Sequence, residues 1–395
     1  MTLVSDVTAA TPAQASPTDC VVCADRHLIL DVAGVPSRVH YVWLRDNCWC
    51  SECKVLQSGE RRLYTADILD DIAAVSASLT DGGALEVHWN DGHHSAYSMQ
   101  WLDTHRYERG ARSRQSHQPT LWAGDLVSIP TFEHQDVVGT DTGQLAYLDA
   151  MRDYGVALVR HTPSVPGEVE RFAETLGHVR ETAFERIHNV QHDPHGYNVA
   201  HTPIELKPHT DLPSYHWPPS VQLLHFLVNE ATGGESTVLD GWAVLADLRA
   251  ADPAAFDTLA STAVPYQLFS DDEDTAATAP MIGLDSAGEV QTFRYSNQLA
   301  QPLAVDFEEV EEFYRAYRVL GRMINGPKYK LPFKTQNGDL LTVHGHRVLH
   351  GRLAFDPASG GRHLQDVYMD FDDLMARRRV LLGTHKPLSA LGEAV

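Results

Sequence analysis

The feature that most constrains this chain is the placement of its cysteines. All five lie before residue 54, and three of them fall within six residues, at Cys48, Cys50 and Cys53. Zinc accepts three cysteines and one histidine in a closed tetrahedral site that contributes directly to folding. His93, forty residues further on, can supply the fourth ligand. Because the more than 300 residues that follow contain no cysteine, the sequence predicts a small zinc unit ahead of a separate domain.

The cysteine spacing also leaves alternatives open. Cys20 and Cys23 could pair with Cys50 and Cys53 in a CxxC…CxxC pattern, and the histidine that follows His93 competes with it. Free buried thiols are a third interpretation, although three such closely spaced cysteines rarely pack by chance. The odd number of cysteines is unlike a secreted disulfide framework, so we expect a reducing, cytoplasmic compartment.

Charge excludes several classes of partner. Lys and Arg number 31 and Asp and Glu 53, which gives a formal net charge of −22. Nucleic acid and anionic membranes both require a basic surface, so we expect neither as a partner. A small cationic or zwitterionic substrate suits an acidic chain, because a negative field speeds its arrival.

The hydrophobic pattern divides the chain into four parts. Residues 1–26 are expected to form a disordered tail, and short alternating strands, Ser37–Leu44 among them, predict a small β domain over 27–106. Residues 107–123 are polar and aperiodic, which is typical of a linker. Over 124–395, strands and helices mix without regular βαβ alternation. This predicts an α+β fold with a β-sandwich or barrel-like core and helices on its outside.

The elements expected in this last part follow from local periodicity. Helices are predicted over Thr142–Tyr154, Pro166–Leu176, Trp242–Leu248, Pro253–Leu259 and Asp306–Ile324. Strands are predicted over Val156–Arg160, Ser220–Val228, Ser236–Leu239, Val290–Tyr295, Tyr329–Phe333, Leu340–His344 and His363–Phe371.

A second metal site is indicated by His209-Thr-Asp211. In an extended segment the side chains of residues i and i+2 point to the same side, so both can reach one metal ion. A histidine from a distant strand would complete a two-His-one-carboxylate face, which suits non-haem Fe(II) oxygenases. His350 is such a residue, 139 positions after Asp211. Arg362 follows where a returning strand could bring it to the same place, and arginine can hold a carboxylate through two parallel hydrogen bonds.

Several segments together resemble the γ-butyrobetaine dioxygenase and trimethyllysine dioxygenase family. They are His209–Pro213, Pro218–His225, Ala231–Gly241, Leu349–Arg352, Arg362–His363 and, nearer the N-terminus, Leu44–Cys48 and Trp89–His93. The resemblance covers roughly residues 27–380. It implies a double-stranded β-helix (jelly-roll) oxygenase core with flanking helices, a small N-terminal zinc-binding domain, and a homodimer. It also implies Fe(II), 2-oxoglutarate, O2 and a structural zinc ion.

The resemblance further implies roles for individual residues. The iron ligands would be His209, Asp211 and His350, the last preferred to His344 and His346 because of the Leu-His-Gly-Arg match. The zinc ligands would be Cys48, Cys50, Cys53 and His93, which leaves Cys20 and Cys23 without a role. Arg362 would pair with the distal carboxylate of 2-oxoglutarate, and Ser236 would lie near that co-substrate.

For the substrate, the family places trimethylammonium heads in aromatic cages, where ring faces attract a cation that cannot donate a hydrogen bond. The matching pocket positions are Tyr368, Asn198, Phe184, His188 and His201, of which the last three depart from the family's usual residues. Leu212 occupies a position at which the animal γ-butyrobetaine dioxygenase of this family has tyrosine. Arg294 and Asn297 are candidate donors to an acidic end of the substrate.

The sequence therefore predicts an Fe(II)/2-oxoglutarate-dependent dioxygenase that hydroxylates an aliphatic carbon of a small trimethylammonium zwitterion similar to γ-butyrobetaine. An alternative substrate is a trimethylammonium alkylphosphonate such as 2-(trimethylamino)ethylphosphonate, because a dianionic phosphonate would form strong charge-assisted hydrogen bonds with Arg294. Trimethyllysine fits less well, since no residue is identified for its amino acid end. A non-enzymatic alternative, a degenerate jelly-roll binding or sensor protein, predicts a broken ligand triad, whereas this one is intact.

Overall fold

The computed structural model describes residues 21–107, 117–126, 128–191 and 199–384. The chain divides into two compact units, Met1–His117 with Gly383–Val395, and Gln118–Leu382. Within the described ranges, no helix is both long and apolar enough to cross a membrane. Cys20, Asn198 and the part of the predicted tail before Val21 lie outside the described residues.

The first unit contains two antiparallel three-stranded sheets, ordered β1-β2-β3 and β4-β5-β6. The strands are β1 (Val21–Cys23), β2 (His27–Val32), β3 (Val35–His40), β4 (Ala74–Leu79), β5 (Leu85–Trp89) and β6 (His94–Tyr97), and the helices are α1 (Tyr41–Asp46) and α2 (Met99–Thr104). Alternate residues of β2 and β5 face a core that includes Leu28, Leu30, Trp89, Tyr97 and Trp101. A core of this size benefits from a second source of stability.

Two local expectations for the N-terminal part differ from the structure. Val21–Cys23, within the predicted tail over 1–26, pair with β2 as a strand. The strand predicted over Ser37–Leu44 ends at His40, and a helix begins at Tyr41. The buried residues Tyr41, Leu44 and Arg45 recur at i, i+3 and i+4, the spacing of a helix face rather than of a strand.

The second unit holds a six-stranded sheet ordered β7-β8-β19-β11-β22-β9 and a four-stranded sheet ordered β10-β20-β13-β18. Its strands are β7 (Thr131–Glu133), β8 (Val156–Arg160), β9 (His188–Gln191), β10 (Leu206–His209), β11 (Val221–Asn229), β12 (Thr232–Gly233), β13 (Ser236–Asp240), β14 (Ala263–Phe269), β15 (Asp274–Pro280), β16 (Ile282–Leu284), β17 (Val290–Phe293), β18 (Leu331–Phe333), β19 (Leu340–His344), β20 (Val348–Arg352), β21 (Phe355–Asp356) and β22 (Arg362–Met369). Its helices are α3 (His134–Gly139), α4 (Asp141–Tyr154), α5 (Glu168–Glu174), α6 (Gly241–Ala251), α7 (Pro253–Ser261), α8 (Phe307–Asn325) and α9 (Phe371–Leu381).

The six-stranded sheet is covered on both faces, and its central strands β8, β19 and β11 are accordingly mostly apolar. On its outer face, Val221 and Leu223 of β11 and Val367 of β22 pack against α4 and α5. On its inner face, Phe226 and Leu341 pack against residues of the four-stranded sheet, as part of a separate buried cluster. Side chains that alternate along β11 and β22 therefore point either to the helices or to the space between the two sheets.

A buried ion pair joins the end of β13 to the residue before β20. Arg347, 1% exposed, donates two hydrogen bonds to the carboxylate of Asp240, which is 0% exposed, at 3.1 and 2.8 Å. The same carboxylate accepts the backbone N–H of Trp122 at 3.2 Å. Trp122 belongs to the predicted linker over 107–123, so this end of that segment packs into the second unit; residues 108–116 lie outside the described chain.

Several elements of the second unit were not predicted from the sequence. The hairpin of β14 and β15 and the helix α9 are the largest of them. Of its two strands, β15 is rich in Ala and Thr and has weak hydrophobic alternation, whereas β14 buries Val264, Tyr266 and Leu268 at every second position. The predicted strand His363–Phe371 ends at Met369, and Phe371 already lies in α9.

Candidate active site

The three clustered cysteines and His93 converge in the first unit. The Sγ atoms of Cys48, Cys50 and Cys53 lie 3.3, 3.5 and 3.6 Å from Nε2 of His93. In a tetrahedral zinc site the sulfur and nitrogen ligands lie about 3.5 Å apart, because the bond lengths are about 2.3 and 2.0 Å. The cluster therefore has the size of a zinc site with no open position.

The residues around this cluster hold it in place. Arg45 donates from Nε to Asp91 at 2.8 Å and from a terminal nitrogen to Sγ of Cys53 at 3.3 Å. Asp91 in turn accepts the backbone N–H of His93 at 2.9 Å. Of the rival ligands, Cys23 is exposed and apart from the cluster. The side chain of His94 lies 4.0 Å from Glu86 instead.

A second group of possible metal ligands lies in the other unit. The ligand atoms of His209, Asp211 and His350 all lie within 4.8 Å of one another. His209 and His350 are directly opposite on the paired strands β10 and β20. Oδ1 of Asp211 lies 3.1 Å from Nε2 of His209 and 3.8 Å from Nε2 of His350. The structure thus brings together one carboxylate and two imidazoles from the H-x-D pair and a distant strand.

Hydrogen bonds orient two of these three side chains. Nδ1 of His209 donates to the carbonyl oxygen of Lys207 at 2.9 Å, which leaves Nε2 free to bind a metal ion. The hydroxyl of Tyr368 donates to Oδ2 of Asp211 at 2.7 Å. Burial acts to raise the pKa of Asp211, but His350, His209 and Tyr368 outweigh it and hold the pKa below its usual value. Burial lowers the pKa of His350 to about 4.

The two rival histidines lie elsewhere. The ring of His344 stacks on Phe371, with 4.1 Å between the ring centroids. His346 donates from Nε2 to the carbonyl oxygen of Pro218 at 2.9 Å. Neither belongs to the group of ligand atoms around Asp211.

The ligand group opens into a cavity of 380 Å³ between the two sheets. Four alternate residues of β22 line it in a row, and alternate residues of β11 do the same beside them. These residues are Arg362, Leu364, Asp366 and Tyr368 on β22, and Gln222, Leu224 and Phe226 on β11. At about 3.3 Å per residue, Arg362 and Asp366 are about 13 Å apart along the strand. The cavity therefore has a cationic and an anionic end.

The cationic end contains two arginines. Burial and the neighbouring Arg352 lower the pKa of Arg362 to about 9, and its buried Nε has no hydrogen-bond partner among the described residues. Arg352 donates to the carbonyl oxygens of Thr202 and Ile204 at 2.9 and 2.8 Å. Ser236, at the start of β13, is directly opposite Arg352 and also lines the cavity.

The anionic end combines a carboxylate with aromatic rings. Asp366 accepts a hydrogen bond from Nε2 of Gln222 at 2.6 Å, and its other oxygen lies 3.0 Å from Nδ1 of His188. The ring of His188 is stacked on Phe184, with 4.6 Å between the centroids. Nε2 of Gln222 also donates to the hydroxyl of Tyr368 at 3.2 Å, so hydrogen bonds connect this end to Asp211.

Arg294, predicted as a substrate contact, lies outside the cavity lining. Its guanidinium is 7% exposed and does not line the cavity. It donates instead to the carbonyl oxygens of Pro213, Tyr215 and His216 at 3.2, 2.7 and 2.5 Å. These carbonyls belong to the loop that follows Asp211. An arginine that binds backbone and one that binds substrate have the same sequence signature.

Of the other residues predicted to contact substrate, some line the cavity and others do not. Phe184, His188, Tyr368 and Leu212 line the cavity. His201 does not; its ring packs edge-on against His188 at 5.7 Å. Asn297 accepts a hydrogen bond from Tyr317 at 3.0 Å and is also outside the lining. Asn198 cannot be placed, since it lies outside the described residues.

Sequence analysis assigned no role to several polar lining residues, among them Gln222, Arg352 and Asp366. Gln222 and Arg352 stand inside the quoted motifs, so a closer look at those motifs could have identified them. Asp366 had a weaker signal, as the one carboxylate of the strand Arg362–Met369.

The comparisons with known proteins agree with this arrangement. The sequence model described as "Taurine catabolism dioxygenase TauD, TfdA family" matches residues 83–368. The one described as "Gamma-butyrobetaine hydroxylase-like, N-terminal" matches residues 25–103.

Individual relatives cover most of the chain. A γ-butyrobetaine dioxygenase from Pseudomonas sp. (strain AK-1) is 38% identical over 351 residues, which is 88% of this chain and 91% of the relative. The Homo sapiens γ-butyrobetaine dioxygenase is 31% identical, covering 86% and 90%. The mitochondrial trimethyllysine dioxygenase of Gallus gallus is 29% identical, covering 90% and 86%. Among solved structures, a taurine dioxygenase from Burkholderia xenovorans aligns with a TM-score of 0.48 and 15% identity, covering 64% of this chain and 91% of that one.

Proposed function

This chain belongs to the TauD, TfdA dioxygenase family and is a 2-oxoglutarate-dependent dioxygenase, and from that premise we propose that it hydroxylates a small trimethylammonium zwitterion similar to γ-butyrobetaine. The observation that carries the proposal is the row of residues along β22. It places Arg362 at one end of the cavity, and Asp366 with the ring of Tyr368, whose hydroxyl binds Asp211, at the other. Such a cavity suits an anionic co-substrate together with a cationic substrate head.

His209, Asp211 and His350 would hold the iron ion. The donor set is the one that non-haem Fe(II) oxygenases use, and Nε2 of His209 is free because its Nδ1–H is engaged. When bound, the iron ion supplies the oxidising chemistry: 2-oxoglutarate, O2 and a substrate C–H bond give succinate, CO2 and a C–OH bond. Tyr368 holds Asp211 in one orientation through its hydroxyl, so the carboxylate need not reorganise.

Arg362 would bind the distal carboxylate of 2-oxoglutarate, with Ser236 beside it. The unpartnered Nε of Arg362 in a buried position supports this role, because a buried guanidinium without an anion costs free energy. Arg352, whose charge lies close to that of Arg362, would reinforce the attraction for a carboxylate. The apolar residues Leu224, Phe226 and Leu364 would exclude water from the reacting carbon.

Cys48, Cys50, Cys53 and His93 would hold a structural zinc ion, which their mutual distances fit. We further propose that the two facing sheets form a double-stranded β-helix, and that the parts of the chain are a zinc-binding domain over 27–106 and an oxygenase domain over 124–395. Homodimer formation, a cytoplasmic location and the absence of nucleic-acid and membrane partners stay predictions.

Within this substrate class, the alkylphosphonate alternative loses its main argument. It rested on Arg294 as an additional donor, and that guanidinium binds the backbone outside the cavity. The phosphonate is therefore a comparison compound in the test rather than a second proposal.

The test measures succinate formation with Fe(II) and 2-oxoglutarate in the presence of γ-butyrobetaine, 2-(trimethylamino)ethylphosphonate or trimethyllysine, each followed by product mass. We expect γ-butyrobetaine to give the highest kcat/KM and a product heavier by one oxygen atom. The His209→Ala variant should lose turnover, while His94→Ala, which alters an exposed histidine in the other unit, should retain it. A panel in which no quaternary amine stimulates succinate formation would refute the proposal.

A further inference from the structure

The anionic end of the cavity contains a buried carboxylate, Asp366, that has no partner of fixed positive charge among the residues that the structure describes. The side chain of Asp366 is 2% exposed. Among the described residues, no lysine or arginine forms an ion pair with it; its neighbours are the amide of Gln222 and the ring of His188. Its Oδ1 lies 3.0 Å from Nδ1 of His188, a contact that becomes an ion pair only when that ring is protonated. A buried carboxylate in this condition is costly unless a ligand supplies positive charge.

The side chains around Asp366 favour a cation that cannot donate hydrogen bonds. Phe184 and Tyr368 present rings to the same end of the cavity, with 6.4 Å between their centroids. Leu224 is directly opposite Asp366 on β11 and also lines the cavity. A primary ammonium group would need several acceptors, whereas a quaternary head needs only negative charge and ring faces.

We infer that Asp366 is the counterion of the substrate's quaternary ammonium head and determines the preference of this enzyme for a cation over a neutral group of the same shape. The inference rests on the proposed function and adds a specificity-determining residue to it. The row along β22 then separates the two charges of the reaction: the co-substrate's carboxylate at Arg362, and the substrate's cation about 13 Å away at Asp366.

Binding of two probes of nearly equal shape tests this role without any need for turnover. Choline carries a trimethylammonium head, and 3,3-dimethyl-1-butanol carries a neutral tert-butyl group in its place. Their dissociation constants are measured by calorimetry on the anaerobic enzyme loaded with Fe(II) and 2-oxoglutarate. The wild-type enzyme should prefer choline at least tenfold, and the Asp366→Asn variant should reduce the ratio to within about threefold.

Two further variants separate the charge of Asp366 from its hydrogen bonds. Gln222→Leu removes the donor that links Asp366 to Tyr368 but leaves the carboxylate, so it should keep the preference for choline. Glu308→Gln removes one negative charge from an exposed position on α8 and should leave both dissociation constants unchanged. Thermal unfolding of each variant confirms that it is folded.

The outcomes distinguish this inference from the proposed function. If Asp366→Asn keeps the wild-type ratio, or if Gln222→Leu removes it equally well, Asp366 is not the counterion. If wild-type enzyme prefers choline but turns over no quaternary amine, the proposed reaction is wrong while the cation site stands. If wild-type enzyme binds both probes equally, the cation site is wrong even when γ-butyrobetaine is hydroxylated.

Discussion

Replacing Arg294 with lysine tests whether this guanidinium positions a loop or contacts substrate. The loop from Leu212 to His216 follows a proposed iron ligand, and Leu212 has φ of 49°, a left-handed conformation that a leucine rarely adopts. Arg294 donates to three carbonyl oxygens of this loop. Its neighbour Tyr295 accepts the backbone N–H of Thr210 and donates its own backbone N–H to the Thr210 hydroxyl. The strained loop thus depends on this short segment for its position.

The expected loss of stability follows from the hydrogen bonds that lysine cannot replace. A hydrogen bond from a charged donor contributes about 1.5–3 kcal/mol, and the lysine ammonium can keep only one of the three. Because water can reach some of the carbonyls left behind, we expect a loss of about 2–4 kcal/mol in the free energy of unfolding. For a unit of this size that corresponds to a decrease in Tm of about 5–15 °C.

Differential scanning calorimetry and steady-state kinetics together decide between the two roles. As a positioning residue, Arg294→Lys should lower Tm and weaken iron retention, while KM for γ-butyrobetaine changes less than threefold. Arg318→Lys is the matched control, since that guanidinium lies on the exposed face of α8 and donates to one carbonyl of its own helix. A KM increase of tenfold or more with an unchanged Tm would refute this reasoning and restore a direct contact with substrate.

Two further predictions concern the zinc cluster and the pH dependence of substrate binding. Cys50→Ser should reduce the zinc content, measured by atomic emission, from one ion per chain to below about 0.2 and lower the Tm of the first unit, whereas His94→Ala should change neither. Burial acts to lower the pKa of His188, but the charges of Asp366, Asp211 and Glu185 outweigh burial and raise the pKa above its usual value. The ring is therefore cationic at lower pH, where it repels the cationic head of the substrate. KM for γ-butyrobetaine should therefore fall several-fold from pH 6 to pH 8, and His188→Gln should remove this dependence; a wild-type KM that is constant over this range would contradict it.

The candidate metal ligands could be identified from the sequence because metals require particular residue types at particular spacings. Three cysteines within six residues, and a histidine and an aspartate two residues apart, restrict the geometry before any tertiary contact is known. The prediction does not depend on which secondary-structure element holds each ligand, since the H-x-D pair can bind one metal ion from a strand or from an extended loop. In the structure His209 ends a strand and Asp211 lies in the loop that follows it.

The substrate end of the cavity was predicted less completely, because it depends on register between strands far apart in sequence. Asp366 lines the cavity because β22 pairs with β11 so that Asp366 is opposite Leu224. A shift of one residue would turn Gln365 and Val367 inward and Asp366 toward the helices. Nothing local in the sequence fixes this choice, since polar and apolar residues alternate on both faces of β22.

The same dependence on register explains why similarity to known relatives indicates the reaction type more firmly than the substrate. The proposed iron ligands and Arg362 belong to short motifs whose chemistry depends little on the surrounding residues. Proteins that share these motifs are therefore expected to catalyse the same type of reaction. The head-group site is assembled from β9, β11 and β22, and each strand contributes one side chain at Asp366: His188, Gln222 and Asp366 itself. A substitution at position 188 or 366 changes the charge of the site without replacing any of the proposed iron ligands. Substrate specificity in this fold can therefore diverge while the type of reaction stays the same. The charge of the side chain at position 366 is the property to compare between enzymes that prefer substrates with different head groups.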